Sequence, residues 1–381
     1  MTQTVESSQA TAIDAGAAFN AYRSVRRFGN LDGLRFICIS MVLWHHAQPI
    51  KVEGLQILDR GFLGVDFFFV LSGFLITTLL LREADRYGSF SLRDFYIRRI
   101  LRIVPVYFFV VTGVAIYYIL VRGQTEYLEL LPWYYLFLSN FLVDHIPTLG
   151  ISWSLSVEEQ YYAIWPLILL LLPLRLLVPV SILMIALNVT GSVGLFNFEP
   201  LSVGPLLFRL PNATYAPIIM GSLAAIFLHS RRSFELIHKA TGTNFAQIAI
   251  ALGLLAALQF TPAAVRGLPN LAIHGLMTLL LASFVVREQT AFTPFLSQFI
   301  VARIGTISYG IYLYHLLALD IISRTVTRLD FESKWIVFVL YYALACIIAE
   351  VSFRTLERYF QHLRPAQKPR SASLLQSESS S

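Results

Sequence analysis

The sequence predicts an all-α integral membrane fold of about ten transmembrane helices with both termini cytoplasmic. Three observations carry this. First, 56% of the 381 residues are hydrophobic, only 14% are charged, and the mean hydropathy is +0.65. No water-soluble domain needs that much apolar surface. Second, apolar runs of about 20 residues recur along the chain, the length that crosses a bilayer core as a helix. The alternating segments of about 10 residues that mark a membrane β-barrel are not seen. Third, the basic residues fall on one side when the runs are threaded alternately through the bilayer.

The runs place spans at 34–50, 61–81, 101–121, 159–174, 176–195, 207–228, 245–261, 270–286, 304–323 and 335–353. The stretch 131–144 is apolar but short, and reads as a re-entrant or interfacial element. If it does not cross, Arg82, Arg86, Arg93, Arg98, Arg99 and Arg102 share a side with the amino terminus. Arg231, Arg232, Lys239, Arg287, Arg303 and the basic stretch from Arg354 to Arg370 then fall on that side too. This is the positive-inside arrangement. It puts Arg35 near the cytoplasmic end of the first span, and His46 and the loop 145–158 near the outer face.

Residues 1–30 are polar and rich in small residues, ending in Arg23, Arg26 and Arg27. They lack the apolar core and cleavage site of a signal peptide and read as a disordered cytoplasmic tail. Residues 31–360 form one membrane domain without an internal repeat. The Ser-rich stretch 361–381 reads as a second disordered cytoplasmic tail.

The net charge of +6 is read as loop arginine anchoring the protein to the membrane. No basic-aromatic module suggests a nucleic-acid partner. Cys38 and Cys346 both lie in apolar segments, so neither a disulfide framework nor a metal site is expected.

Charged and titratable groups inside apolar runs are costly and usually serve function. Arg35 and His46 lie 11 residues apart. On a helix they return to within roughly 20° of one face, about 16 Å apart along the axis. A cation and a titratable base could thus line one internal path. His45 points about 80° away. Asp66 opens a Gly-rich, Phe-rich span; within a packing helix it either caps or pairs with an arginine, or else it serves a polar cavity. Arg98, Arg99 and Arg102 are helical neighbours at the cytoplasmic mouth. They suit either anionic lipid or the phosphates of a bound ligand. Glu158 and Glu159 open another span, where one acid suits the helix dipole and a second can orient His46. Ser308, Tyr312 and His315 share a face by i, i+4, i+7 spacing and could line a polar cavity or bond neighbouring helices. Glu350 needs an arginine partner that spacing does not identify. Asp144 and His145 read as a solvated loop pair.

Five segments in order resemble the acyltransferase-3 family of integral membrane acyltransferases, over roughly residues 30–360. They are Leu31-Asp-Gly-Leu-Arg35 with His46, Gly64-Val-Asp66 through Ser72-Gly73, Phe95-Tyr-Ile-Arg98-Arg99-Ile-Leu-Arg102-Ile-Val-Pro105, Trp153-Ser-Leu-Ser-Val-Glu-Glu-Gln-Tyr-Tyr162, and Ser308-Tyr-Gly-Ile-Tyr-Leu-Tyr-His315. Each is moderately specific alone; together they are highly specific. The family often carries Glu-x-Pro after the last span, where this chain has Glu357-Arg358-Tyr359. Some members carry a fused esterase-like domain, and none is expected here.

The resemblance implies a bacterial inner-membrane, multi-pass O-acyltransferase. Its donor would be acyl-CoA, acetyl-CoA above all. Its acceptor would be a sugar hydroxyl of an envelope or exported polysaccharide or its lipid-linked precursor, or else a small natural product. Catalysis would fall to His46 and Arg35 with Glu158 and Glu159 in support, and CoA phosphates to Arg98, Arg99 and Arg102. Asp66, Ser308, Tyr312 and His315 would line the substrate cavity. The bilayer and the carbohydrate acceptor are the expected partners, with polysaccharide-export machinery a further candidate. The alternative from another class is a transporter or flippase for a sugar-lipid or acylated substrate. The lack of repeat symmetry counts against it.

Overall fold

The computed structural model describes residues 16–193, 195, 199–208, 215–262, 267–329 and 333–364. Residues 1–15 of the amino-terminal tail and 365–381 of the carboxy-terminal tail lie outside these, whereas 361 and 362 close a short helix (Arg358–His362) rather than open a disordered tail. The fold is helical and membrane-type. Its main helices are α1 (Gly29–Ala47), α2 (Leu63–Tyr87), α3 (Leu92–Ala115), α4 (Ser152–Leu171), α5 (Leu174–Ser192) and α6 (Ala216–His229). They continue with α7 (Arg231–Thr241), α8 (Asn244–Phe260), α9 (Gly267–Val286), α10 (Phe299–Thr306), α11 (Ser308–Arg328) and α12 (Lys334–Ser352). The ends of α3 and α12 run on as short π-helical turns, Ile116–Val121 and Phe353–Glu357.

Each of the ten expected spans overlaps a helix, but 304–323 runs across the break between α10 and α11. By length and composition five helices can cross a bilayer: α2, α5, α9, and α3 and α12 with their extensions. The number becomes seven if two bent pairs count as one span each, α7 with α8 (78°) and α10 with α11 (77°). The helices α1 and α4 stay outside that count because they carry polar residues such as Asp32, Arg35, Glu158 and Glu159. Phe245, Phe260 and Phe299 are each 82% exposed, as lipid-facing residues can be but a water-facing surface avoids.

Three further expectations are revised. Residues 207 and 208, placed in the span 207–228, instead belong to the second strand (Leu206–Phe208) of a small hairpin with Leu201–Val203, and α6 begins only at Ala216. Gly204-Pro205 makes the turn, and Pro205 O accepts a 3.2 Å hydrogen bond from Val143 N. The hairpin thus docks on the loop after α3. That loop is the stretch 131–144, which breaks into a five-residue helix (Leu131–Tyr135) and a single turn (Ser139–Phe141).

The amino-terminal segment, expected to be disordered to residue 30, is folded from residue 16. Residues 16–24 are helical, and Phe19 and Tyr22 are buried against Phe28 and Phe234. Arg82 fixes the segment by donating to Tyr22 O and Val25 O, both at 2.6 Å, and Arg23 pairs with Asp85 at 2.6 Å. Aromatic burial and these bonds outweigh the polar composition.

The third revision concerns His145, whose Nδ1 meets Tyr134 Oη at 3.3 Å.

The bundle is held by close helix approach. A Cβ on Gly73 would lie 1.9 Å from Ile218 O, and one on Gly221 would lie 2.0 Å from Val70 O. The helices α2 and α6 therefore touch backbone to backbone, which only glycine permits and which lipid-embedded helices exploit. Glu350 finds its partner in Arg303, with two 2.8 Å bonds joining α10 to α12, and Arg354 adds a 2.6 Å bond. Buried Arg60 donates to Thr261 O (2.5 Å) and Pro262 O (2.9 Å), satisfying carbonyls at the end of α8.

Candidate active site

The helices α1, α2, α3, α4 and α11 enclose a cavity of about 380 Å³, within the range of small-molecule sites. Six arginines line it (Arg26, Arg27, Arg35, Arg82, Arg99 and Arg102) against only two carboxylates, Asp32 and Glu158. So strong an excess of one sign concentrates anions.

The arginines are not equivalent. Asp32 engages Arg35 at 2.7 Å and Arg27 at 2.6 Å. Arg82 is taken up by the amino-terminal carbonyls. Arg26, Arg99 and Arg102 have no hydrogen-bonded acceptor among the described residues, so their donors remain available to a ligand. A guanidinium presents five donors in a fork that matches phosphate oxygens.

Along α4, Ser154, Glu158 and Tyr162 recur at i, i+4, i+8 and so share a face. Glu158 accepts hydrogen bonds from Ser72 Oγ and Tyr162 Oη, and those two oxygens lie 3.0 Å apart. The triangle joins α2 to α4. It also occupies one of the two carboxylates expected to support His46. Neither Glu158 nor Glu159 is hydrogen-bonded to His46 among the described residues, and Glu159 Oε1 is buried without a partner.

The ring beside His46 is instead His315, with centroids 4.9 Å apart. His46 lies past the cavity wall, connected to it in steps. Tyr312 lines the cavity together with Ser154 and Ser308. Its hydroxyl sits 2.7 Å from Ser154 Oγ and 3.0 Å from Ile151 O. Its ring is 5.5 Å from that of His315. The His45 ring lies 5.3 Å from that of His46 by centroids, with its Nδ1 held 3.1 Å from Asp59 O.

Two other expected site residues stand apart from the cavity. Arg98 pairs with Glu83 at 3.0 Å. Asp66 is bonded to His274 Nε2 at 2.9 Å, so an imidazole takes the place of the arginine that α2 was expected to need. Arg26, Ser72, Tyr162 and Tyr309 join the cavity without having been singled out. Ser72 and Tyr162 already lie within the quoted motifs, and the four-residue step from Glu158 to Tyr162 was the available signal. Among the described residues no group of three His, Cys, Asp or Glu side chains could hold a metal ion.

Fold and cavity together define a multi-pass membrane protein with an arginine-rich cavity among its helices. The chain belongs to the acyltransferase-3 family: the family's model, described as an acyltransferase domain, matches residues 28–353. It is 29% identical over 350 residues to the peptidoglycan O-acetyltransferase OatA of Listeria monocytogenes, covering 86% of this chain and 55% of that protein. It is 28% identical to the putative peptidoglycan O-acetyltransferase YrhL of Bacillus subtilis, covering 87% and 55%. It is 25% identical to a putative O-acetyltransferase of Staphylococcus aureus strain COL, covering 90% and 59%. The chain therefore spans little more than half the length of these relatives. No solved structure matches it significantly.

Proposed function

We propose that the protein is a membrane O-acetyltransferase that moves acetyl from acetyl-CoA to a sugar hydroxyl of an envelope polysaccharide or its lipid-linked precursor. One observation carries this reading. Arginines without hydrogen-bonded acceptors among the described residues face a cavity whose polar wall continues through Tyr312 and His315 to His46. The names of the relatives favour peptidoglycan among the acceptors.

In this reading α1–α6, α8, α9, α11 and α12 are the ten spans of a bacterial inner-membrane protein, with both termini cytoplasmic. The donor's phosphates enter from the cytoplasmic side onto Arg99, Arg102 and Arg26. Arg35, held by Asp32, steadies the donor's phosphates or the thioester oxygen. His46 takes the proton of the acceptor hydroxyl while its oxygen attacks the thioester carbon. The C–S bond breaks, and CoA leaves as a thiol carrying that proton. If His46 carries the acyl group in transit, its ring nitrogen makes the first attack and the hydroxyl the second. Polysaccharide-export machinery is a candidate partner.

The experiment is release of CoA thiol in purified membranes, with and without an envelope polysaccharide fraction. Acceptor-dependent release supports the reading. Binding of acetyl-CoA with no thiol release in any fraction would overturn it in favour of transport.

A further inference from the structure

We propose that His315 is a positioning residue that fixes the ring of His46 by accepting its N–H, leaving the other His46 nitrogen bare as the base. The inference rests on the acetyltransferase reading only for its kinetic consequence.

The argument begins with His315 itself. It is fully buried, and its Nδ1 lies 2.6 Å from Tyr312 O. A carbonyl oxygen can only accept, so Nδ1 carries the hydrogen. A second proton on Nε2 would place a buried cation beside another imidazole, at high cost without a counter-charge. Nε2 is therefore an acceptor, and it is buried with no partner. Buried polar atoms without partners are rare and call for a physical explanation.

The nearest titratable ring is His46, 4.9 Å away by centroids. Two imidazoles joined edge to edge by one N–H···N bond have centroids about 5 Å apart, so a small ring rotation makes the bond. His46 has no hydrogen bond to the protein among the described residues. On its other side His45 is tied to Asp59 O. His45 Nε2 is bare by the same argument and its ring is 5.3 Å from that of His46, but of the two acceptors only His315 Nε2 is buried without a partner, and its ring is the nearer.

The anchoring extends back to the cavity. Tyr312, whose carbonyl fixes His315, is itself fixed through its hydroxyl to Ser154 and Ile151. When His46 takes the acceptor's proton, both its nitrogens carry hydrogen, and Nε2 of His315 receives the one not shared with substrate. The same logic orients general-base histidines through a carboxylate elsewhere. Here a neutral imidazole does it, in keeping with the full burial of His315 within the protein.

The test uses full-length protein with His315→Phe, which keeps the ring's shape without nitrogen, and His315→Gln, whose amide restores an acceptor near Nε2. His315→Phe should lower kcat by on the order of 10²-fold with the KM for acetyl-CoA unchanged, and His315→Gln should keep much of the rate. In histidine-15N-labelled protein, the His46 signals should show one tautomer in the wild type and a mixture in His315→Phe. A wild-type rate in His315→Phe, or equal loss in both variants with unchanged His46 signals, overturns the proposal. If the wild type transfers no acetyl, the acetyltransferase reading falls, while the nitrogen spectra still decide the pairing.

Discussion

The guanidinium carbon of Arg99 lies 4.6 Å from the ring centre of Tyr162. This face-on contact holds the cation through the ring's π cloud and leaves its N–H donors free for phosphate. Tyr162 in turn is fixed by Glu158 and Ser72. The arrangement orients a cation without neutralising it.

Loss of the unpaired arginines should therefore weaken donor binding. Arg99→Ala and Arg102→Ala should each raise the KM for acetyl-CoA by about 10-fold or more, one charge-assisted phosphate contact being worth about 1.5–3 kcal/mol. Acetyl-CoA saturation curves in membranes check this. Arg98→Ala, which removes a pair with Glu83, should leave that KM near the wild-type value.

The amino-terminal segment should prove part of the domain. Phe234→Ala removes a fully buried ring against Phe19 and Tyr22, and should destabilise the protein by about 3 kcal/mol. Thermal unfolding in detergent reads this directly. Because Arg26 and Arg27 follow that segment into the cavity, the KM for acetyl-CoA should rise with it. An unchanged Tm would show that the aromatic cluster carries little.

Gly73→Ala should be among the most damaging small substitutions. The added carbon would overlap the Ile218 carbonyl at 1.9 Å, and backbone cannot yield as a side chain can. The monodisperse fraction after extraction should fall sharply. Wild-type yield and Tm would mean that α2 and α6 can part.

Asp66 and His274 should matter for stability before chemistry. Asp66→Asn weakens a part-buried charge-assisted bond, costing about 1–3 kcal/mol. Thermal unfolding should show the loss while acetyl transfer per folded molecule persists. A folded but inactive Asp66→Asn protein would move Asp66 into the reacting site.

The sequence made the helices legible because bilayer length and hydrophobic runs are local signals. It also marked Arg35, Arg99, Arg102, Ser308 and Tyr312, all of which face one cavity. What it hid are contacts between distant segments. His274 lies 208 residues from Asp66, and Arg303 lies 47 from Glu350; helical periodicity relates neighbours within a few turns only. Glu158 stood in a segment rich in hydroxyls, but its capture by Ser72 depends on how α2 crosses α4. The amino-terminal helix was missed because Phe19 and Tyr22 pack on Phe234, more than 200 residues further along the chain, within a segment polar on average.

The central claim is that His46 is the reacting base of an acetyltransferase. The most direct measurement is transfer of label from acetyl-labelled acetyl-CoA to the envelope polysaccharide fraction, comparing wild type with His46→Ala at equal membrane abundance. The account predicts labelled polysaccharide from the wild type only, with the variant still inserted and still binding acetyl-CoA. Equal labelling by His46→Ala would contradict it.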